Sequence, residues 1–168
     1  MEENKSQTSE FVHLHNHTHY SLLDGLQKIG PMVARTKELG MDAIAITDHG
    51  TMSGAIDFYK EATKEGVKPI IGMETYVAAR KHTDKEPGKD KQNYHLILLA
   101  MNNTGYQNLM RLSTIANLEG YYYRPRLDHD LLEQYQEGLL VLSGCIGGEI
   151  ADSIRQGQYK HAKETAKW

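Results

Sequence analysis

The stretch Phe11–Gly25, FVHLHNHTHYSLLDG, decides how the rest of the chain is read. Its first five residues alternate apolar and polar from Val12 onward, which predicts a first strand over residues 11–15. On extended backbone, alternate side chains project to one side, so His15 and His17 can reach a single ion, with His13 on the same face. By itself an H-x-H pair also fits surface or buried histidines. Its meaning depends on what the fold brings beside it.

Outward from the histidines, strand and helix patterns alternate. Pro31 reads as the first residue of a helix ending at Leu39, with Gly40 as its stop. AIAIT (43–47) is a short apolar run of the kind found in buried parallel strands. Ser53 is placed to cap a second helix, with Ala55, Phe58, Tyr59 and Ala62 on one face and Gly66 at its close. PIIGM (69–73), bending at Gly72, leads into residues 76–79. HLILLA (95–100) and LLVL (139–142) read as further strands. Leu109, Leu112 and Ala116 stripe a helix from about Gly105 to Glu119, and Gly148 opens another. RKHTDKEPGKDKQN (80–93) reads as a solvated loop rather than a basic DNA patch, because acidic residues are interspersed.

This alternation predicts an α/β fold with a largely parallel sheet, open or closed into a barrel. In such sheets the C-terminal strand ends share a rim where active sites gather. Asp48-His49 follows AIAIT, Glu74 follows PIIGM, and Cys145 follows LLVLSG. Singly, an Asp there is often a helix cap and a Cys a small buried hydrophobe. Four segments in register make a cluster. Imidazole, carboxylate and one thiol together suit Zn²⁺, with Mn²⁺ or Fe²⁺ where carboxylates dominate. Phosphoester hydrolysis is the reaction class such ions support. No phosphate-binding G-x-x-x-x-G-K loop and no G-x-S-x-G elbow occurs. Gly144, Gly147 and Gly148 around Cys145 read as a tight strand-to-helix turn.

The 168 residues suffice for one domain with a sizeable core. Residues 1–10 are expected to be a disordered tail and residues 11–168 a single domain. With 19 basic against 22 acidic residues, the chain is ill suited to grip duplex DNA alone. That balance still permits a shallow site for a strand end delivered by something else. No apolar run approaches the roughly 20 residues of a membrane span. The polar start MEENKSQTSE and the single cysteine suit a cytoplasmic protein. YKHAKETAKW at the other end reads as a helix without a stop signal, so the domain is expected to be cut before it is complete.

HLHNHTHYSLLDG is similar to the first motif of the polymerase and histidinol phosphatase (PHP) superfamily. TDHGTMSGAIDFYKEA, KPIIGMETYV, YHLILLA and LSGCIGGEIA resemble its later motifs. NNTGYQNLMRLSTIANLEGYYYRPRLD resembles the form at the N-terminus of bacterial DNA polymerase III alpha subunits rather than a free-standing phosphatase. The resemblance implies a distorted β/α barrel, truncated here at its C-terminal end, with up to three divalent metal ions. It implies ligands at His15, His17, Asp24, His49, Glu74, His95 and Cys145, the last where other members often have histidine. Asp48 is then an orienting partner or proton acceptor beside the ligands. The family's last motif, an Asp-x-His pair, is missing, which would leave the centre incomplete.

Two features need the structure. His95 opens its strand, and a simple parallel strand would put it on the wrong rim, so the backbone must run differently there or the strand boundary must shift. Arg124 and Arg126 are candidate phosphate contacts, because guanidinium matches phosphate bidentately, or else parts of a surface turn under the neighbouring tyrosines. The resemblance implies a parent DNA-directed DNA polymerase acting in replication. Its partners would be the rest of the alpha subunit, a proofreading exonuclease subunit and primer-template DNA, with no membrane. The domain itself would be a metal-dependent 3′–5′ exonuclease. The alternatives are a scaffold that docks a separate exonuclease, and a stand-alone phosphatase of the histidinol phosphatase type.

Overall fold

A computed structural model describes residues 10–22 and 24–168, so all but the last residue of the expected tail lies outside the described residues. The element order is α1 (Ile29–Glu38), β1 (Ala43–Ile46), α2 (Ala55–Glu65), β2 (Lys68–Ala78), β3 (Asn93–Ala100), α3 (Asn103–Leu118), β4 (Arg126–Leu127), α4 (His129–Gln134), β5 (Leu139–Leu142), α5 (Glu149–Arg155) and α6 (Tyr159–Lys167). Among the described residues no helix is long and apolar enough to cross a membrane.

The strands form one sheet in the order β1-β2-β3-β5, with β4 on β2. β1 and β4 run parallel to β2, whereas β3 runs antiparallel to both β2 and β5. The mixed sheet corrects the largely parallel one expected. β3 and β5 are as apolar as buried parallel strands, and composition carries no information on direction. Connectivity does: β2 reaches β3 through a loop without a helix, and a parallel partner would need a crossover. β1 and β5 do not pair among the described residues, so the sheet is open and the expected barrel is not closed.

β2 continues unbroken through Gly72, where a bend was expected. The glycine marks a change of partner: residues 68–71 lie beside β1 and residues 72–78 beside β3. A Cβ there would stand 2.5 Å from the Leu98 carbonyl oxygen, so close strand approach is what excludes a side chain.

Residues 11–15 form no strand. His13 O and Asn16 O accept from Ala45 N and Thr47 N of the β1 segment, three residues against two, so no regular ladder can propagate. The Asn16 side chain fills the gap by donating to His13 O and Ala45 O, and Asn16 N–H donates to Thr47 Oγ1.

The helices differ from expectation in their first turns. α1 begins at Ile29, with Pro31 inside the first turn, where its missing N–H has no intrahelical acceptor to lose. α2 is capped by Gly54 rather than by Ser53, whose hydroxyl is engaged with Thr51 at 2.7 Å. α3 begins two residues earlier than predicted, with Asn102 Oδ1 accepting from Gly105 N at 3.0 Å.

Ile44 and Ile46 of β1 pack with Ile29, Met32 and Val33 of α1 and with Phe58 and Ala62 of α2, while Tyr59 stays exposed. Ala45 packs with Ile97 and Leu99. Leu109, Leu112 and Ala116 of α3 close over Val77, Leu98 and Leu127.

Residues 80–93 form the largely solvated loop expected, anchored at one buried residue, Asp90. Arg80 pairs with the buried Asp90 through contacts of 2.8 and 2.6 Å. The loop also wraps Arg126, which is fully buried and donates to the carbonyls of Gly120, His82, Asp84 and Asp90 at 2.7–3.1 Å. Arg126 therefore has no access to a phosphate, and that expectation is corrected. Its guanidinium fastens the 80–93 loop to β4.

Candidate metal centre

Glu74 lies in mid-β2 and is 1% exposed. A lone buried carboxylate is costly, and this one is surrounded by imidazoles. Oε2 lies 2.5 Å from His15 Nε2 and 3.1 Å from His17 Nε2. Oε1 lies 3.5 Å from His49 Nδ1 and contacts His95 Nδ1. Two donor sets that could hold a metal ion thus share one carboxylate: His15, His17 and Glu74, and His49, Glu74 and His95.

The fold positions each group by a separate device. The Asn16 bonds to the β1 segment hold the backbone between His15 and His17. His49 follows β1, where Glu74 N donates to Asp48 O and Gly50 N donates to Glu74 O at 2.8 Å. Gly50 has φ +61, and a Cβ there would lie 2.6 Å from Pro125 Cγ, so both the turn and the close approach call for glycine. His95 reaches the site because β3 is antiparallel: its start lies beside the end of β2, in register with Tyr76. That is the different backbone course the sequence demanded.

The remaining expected residues lie at the margin. Asp24 Oδ2 stands 2.9 Å from His49 Nε2 and is exposed. Cys145 Sγ accepts from Gly147 N at 3.3 Å and sits 3.8 Å from His95 Nδ1. The turn carrying Cys145 docks on β3 through a bond from His95 N to Gly147 O. Arg124 is exposed, with its guanidinium 5.4 Å from the Tyr76 ring centroid.

Asp48 is buried and occupied elsewhere. Oδ1 accepts from Thr18 N and Ser21 Oγ, both at 2.6 Å, and Oδ2 from Thr18 Oγ1 at 2.8 Å. Ser21 Oγ in turn accepts from His49 N at 3.1 Å. Asp48 thus orients the turn after the histidines, and its hydrogen bonds reach no imidazole. Thr18, Ser21 and Tyr76 had no place in the sequence reading. Tyr76 is two residues from Glu74 on the same strand face, the one signal that could have found it. Its ring stacks on His49 at 6.0 Å and meets His95 edge-on at 5.3 Å.

Burial works against ionisation of Glu74, but hydrogen bonds from His17, His95 and His15 outweigh it and hold the carboxyl well below its usual range. The Glu74 hydrogen bond raises His17 against the effect of burial. Burial lowers His49, which favours the neutral imidazole that a metal requires. His17 Nδ1 and His49 Nδ1 are buried without a hydrogen-bond partner. Unpartnered buried donors and acceptors are rare in proteins, and a cation among them would engage both imidazole and carboxylate atoms. The residues present therefore fit a divalent ion.

A family profile described as the PHP domain matches residues 13–168. DNA polymerase III subunit alpha of Borreliella burgdorferi is 52% identical over 95% of the chain. The Helicobacter pylori protein of that name is 48% identical over 99%, and that of Thermus aquaticus 50% over 88%. The chain spans 14%, 13% and 12% of the lengths of these three relatives.

Proposed function

The chain belongs to the PHP domain family, and we propose that it serves as the metal-dependent phosphoesterase domain of a replicative DNA polymerase alpha subunit. The observation that carries this reading is Glu74, one buried carboxylate shared by imidazoles from three separate segments. His15, His17 and Glu74 would hold one ion and His49, Glu74 and His95 a second, with Asp24 and Cys145 flanking. Zn²⁺ suits the histidine-rich donor set best, with Mn²⁺ or Fe²⁺ as the alternatives. Divalent ions held this close supply Lewis acidity toward phosphoryl oxygens and lower the pKa of bound water.

The chain's own residues contribute positioning and charge. Asp48 fixes the turn that follows His17. Tyr76 packs against His49 and His95 and limits their rotation. Arg124 stands over Tyr76 without a carboxylate partner among the described residues, and its guanidinium would suit a phosphate. The substrate would be the 3′ end of a primer, and the reaction removal of a misincorporated nucleotide in a cytoplasmic replication complex. The relatives of 48–52% identity carry the name of the polymerase alpha subunit, which supports that setting.

The test supplies Zn²⁺ or Mn²⁺ to the full-length polypeptide with a 3′-mismatched primer. Hydrolysis abolished by the His15→Ala, His17→Ala double substitution is expected. Hydrolysis that survives it would sink the reading. Metal-dependent stabilisation without any hydrolysis would leave the chain a metal-braced scaffold for a separate exonuclease.

A further inference from the structure

Beside the metal centre lies a cationic aromatic patch that the ligand set does not use. Tyr121 and Tyr123 are 55% and 62% exposed, an unusual display for two large rings on one short turn. Lys91 Nζ sits 5.5 Å from the Tyr123 ring centroid, and Arg124 is the next residue along the chain. Among the described residues neither cation has a carboxylate within 4.0 Å, although the chain is acidic overall. Two unneutralised cations next to exposed rings match the phosphates and bases of a nucleic acid strand.

The backbone is held in a costly conformation to present this patch. Tyr123 has φ +60, a sparsely populated region for a bulky side chain, and it is the sole non-glycine with positive φ among the described residues. Such strain persists only where the surroundings over-determine it. They do here: Tyr122 N donates to Arg124 O across the turn, Arg126 is bonded to four carbonyls, and Pro125 packs into the space left by Gly50. The same turn places Arg124 on Tyr76, which touches His49 and His95, so Arg124 is the member of the patch that reaches the edge of the metal centre.

We propose that Tyr121, Tyr123, Lys91 and Arg124 form a stacking platform that seats the terminal nucleotides of a single DNA strand beside the metal centre. The inference rests on the phosphoesterase reading for its choice of ligand. Tyr123 stacks a base, while Lys91 and Arg124 meet the phosphates on either side. Stacking tolerates any base, as a site that removes errors requires. The modest number of cations fits a strand end rather than a long duplex, in keeping with the net charge of −3.

The test uses the full-length polypeptide in EDTA with a short oligonucleotide carrying 5-iododeoxyuridine at its 3′ end. Irradiation links that base to an aromatic ring stacked on it, and peptide mapping identifies the ring. The expected adduct is on Tyr123, with yield at this peptide falling about ten-fold or more in Tyr123→Gly and largely kept in Tyr123→Phe. Glycine also relieves the positive φ, so Tyr123→Gly should melt no lower than the parent, which separates loss of stacking from misfolding. Adducts confined to other parts of the polypeptide, or an unchanged yield in Tyr123→Gly, would overturn the platform. Hydrolysis with added metal is scored separately: a Tyr123 adduct without hydrolysis counts against the phosphoesterase reading and for the platform.

Discussion

Glu74 and Arg126 are both charged and buried, at 1% and 0% exposure, yet they do opposite work. Arg126 is surrounded by backbone: four carbonyls accept its N–H groups, and Tyr122 lies under the guanidinium at 5.2 Å. Burial pulls its pKa down, with Asp90 and Asp84 opposing. Around Glu74 the partners are side chains, all of them histidines, and two imidazole nitrogens in the cluster remain without a hydrogen bond. A buried charge matched by fixed carbonyls is an architectural fastening. A buried charge ringed by titratable side chains with unmet bonding capacity is a ligand site. The distinction lies in the partners, and burial alone does not reveal it.

The sharpest way to break this comparison is Arg126→Met. Four carbonyls would lose their donor, three of them the tie between the 80–93 loop and β4. We expect a loss of about 3–5 kcal/mol in a denaturant titration, with or without metal. A variant as stable as the parent would show that the guanidinium is not the fastening described. Glu74→Gln should do the reverse. Rate of hydrolysis and metal affinity should fall by about 100-fold or more, while stability in EDTA changes by only about 1 kcal/mol. Comparable losses of stability in the two variants would erase the contrast.

A second carboxylate tests whether histidine partners alone make a site. Glu149 lies 2.8 Å from His129 and 3.2 Å from His161, and the single tryptophan, Trp168, stacks on His129 at 4.0 Å. The Glu149 hydrogen bond raises His129, with burial opposing it. This contribution to stability is complete below pH 6.5, the ordinary value, and is lost as pH rises through the higher folded value. Burial tends to raise Glu149, but His129 outweighs it and the carboxyl ends below its usual 4.5, so its share is lost as pH falls through that lower value. Trp168 fluorescence, quenched by the charged ring, should therefore brighten with a midpoint above pH 6.5, and an unchanged signal from pH 5 to 9 would remove the pair.

The smallest effect is expected at Asp90. The Arg80 hydrogen bonds hold its carboxyl at about 2, against burial, so its contribution is present above 3.8 and lost as pH falls through about 2. Arg80→Gln should flatten the stability profile only in that acidic window. A difference between the variants in how stability changes between pH 5 and 8 would contradict this.

The comparison also explains what could be read from sequence. His15, His17, His49, Glu74 and His95 converge as expected, although Glu74 lies inside β2 and His15 and His17 follow no strand, because the residue types named the ligands without needing exact strand boundaries. Strand direction was hidden in HLILLA and LLVL, whose apolar runs look alike in either sense, and it was this direction that settled the place of His95. Arg124 and Arg126 stand two residues apart in one motif, but one is exposed and the other enclosed. Nothing local separates them, since the carbonyls that accept from Arg126 come from residues 82–120. Thr18 and Ser21 were invisible for a related reason: their role exists only because Asp48 lies between them.

The central claim is that one carboxylate serves two ions, and Zn²⁺ stoichiometry of the Glu74→Gln variant tests it most directly. Calorimetric titration at neutral pH should show both ions lost together, although four histidines remain. A variant that still binds Zn²⁺ with the parent stoichiometry and affinity, or that loses one ion and keeps the other intact, would contradict it.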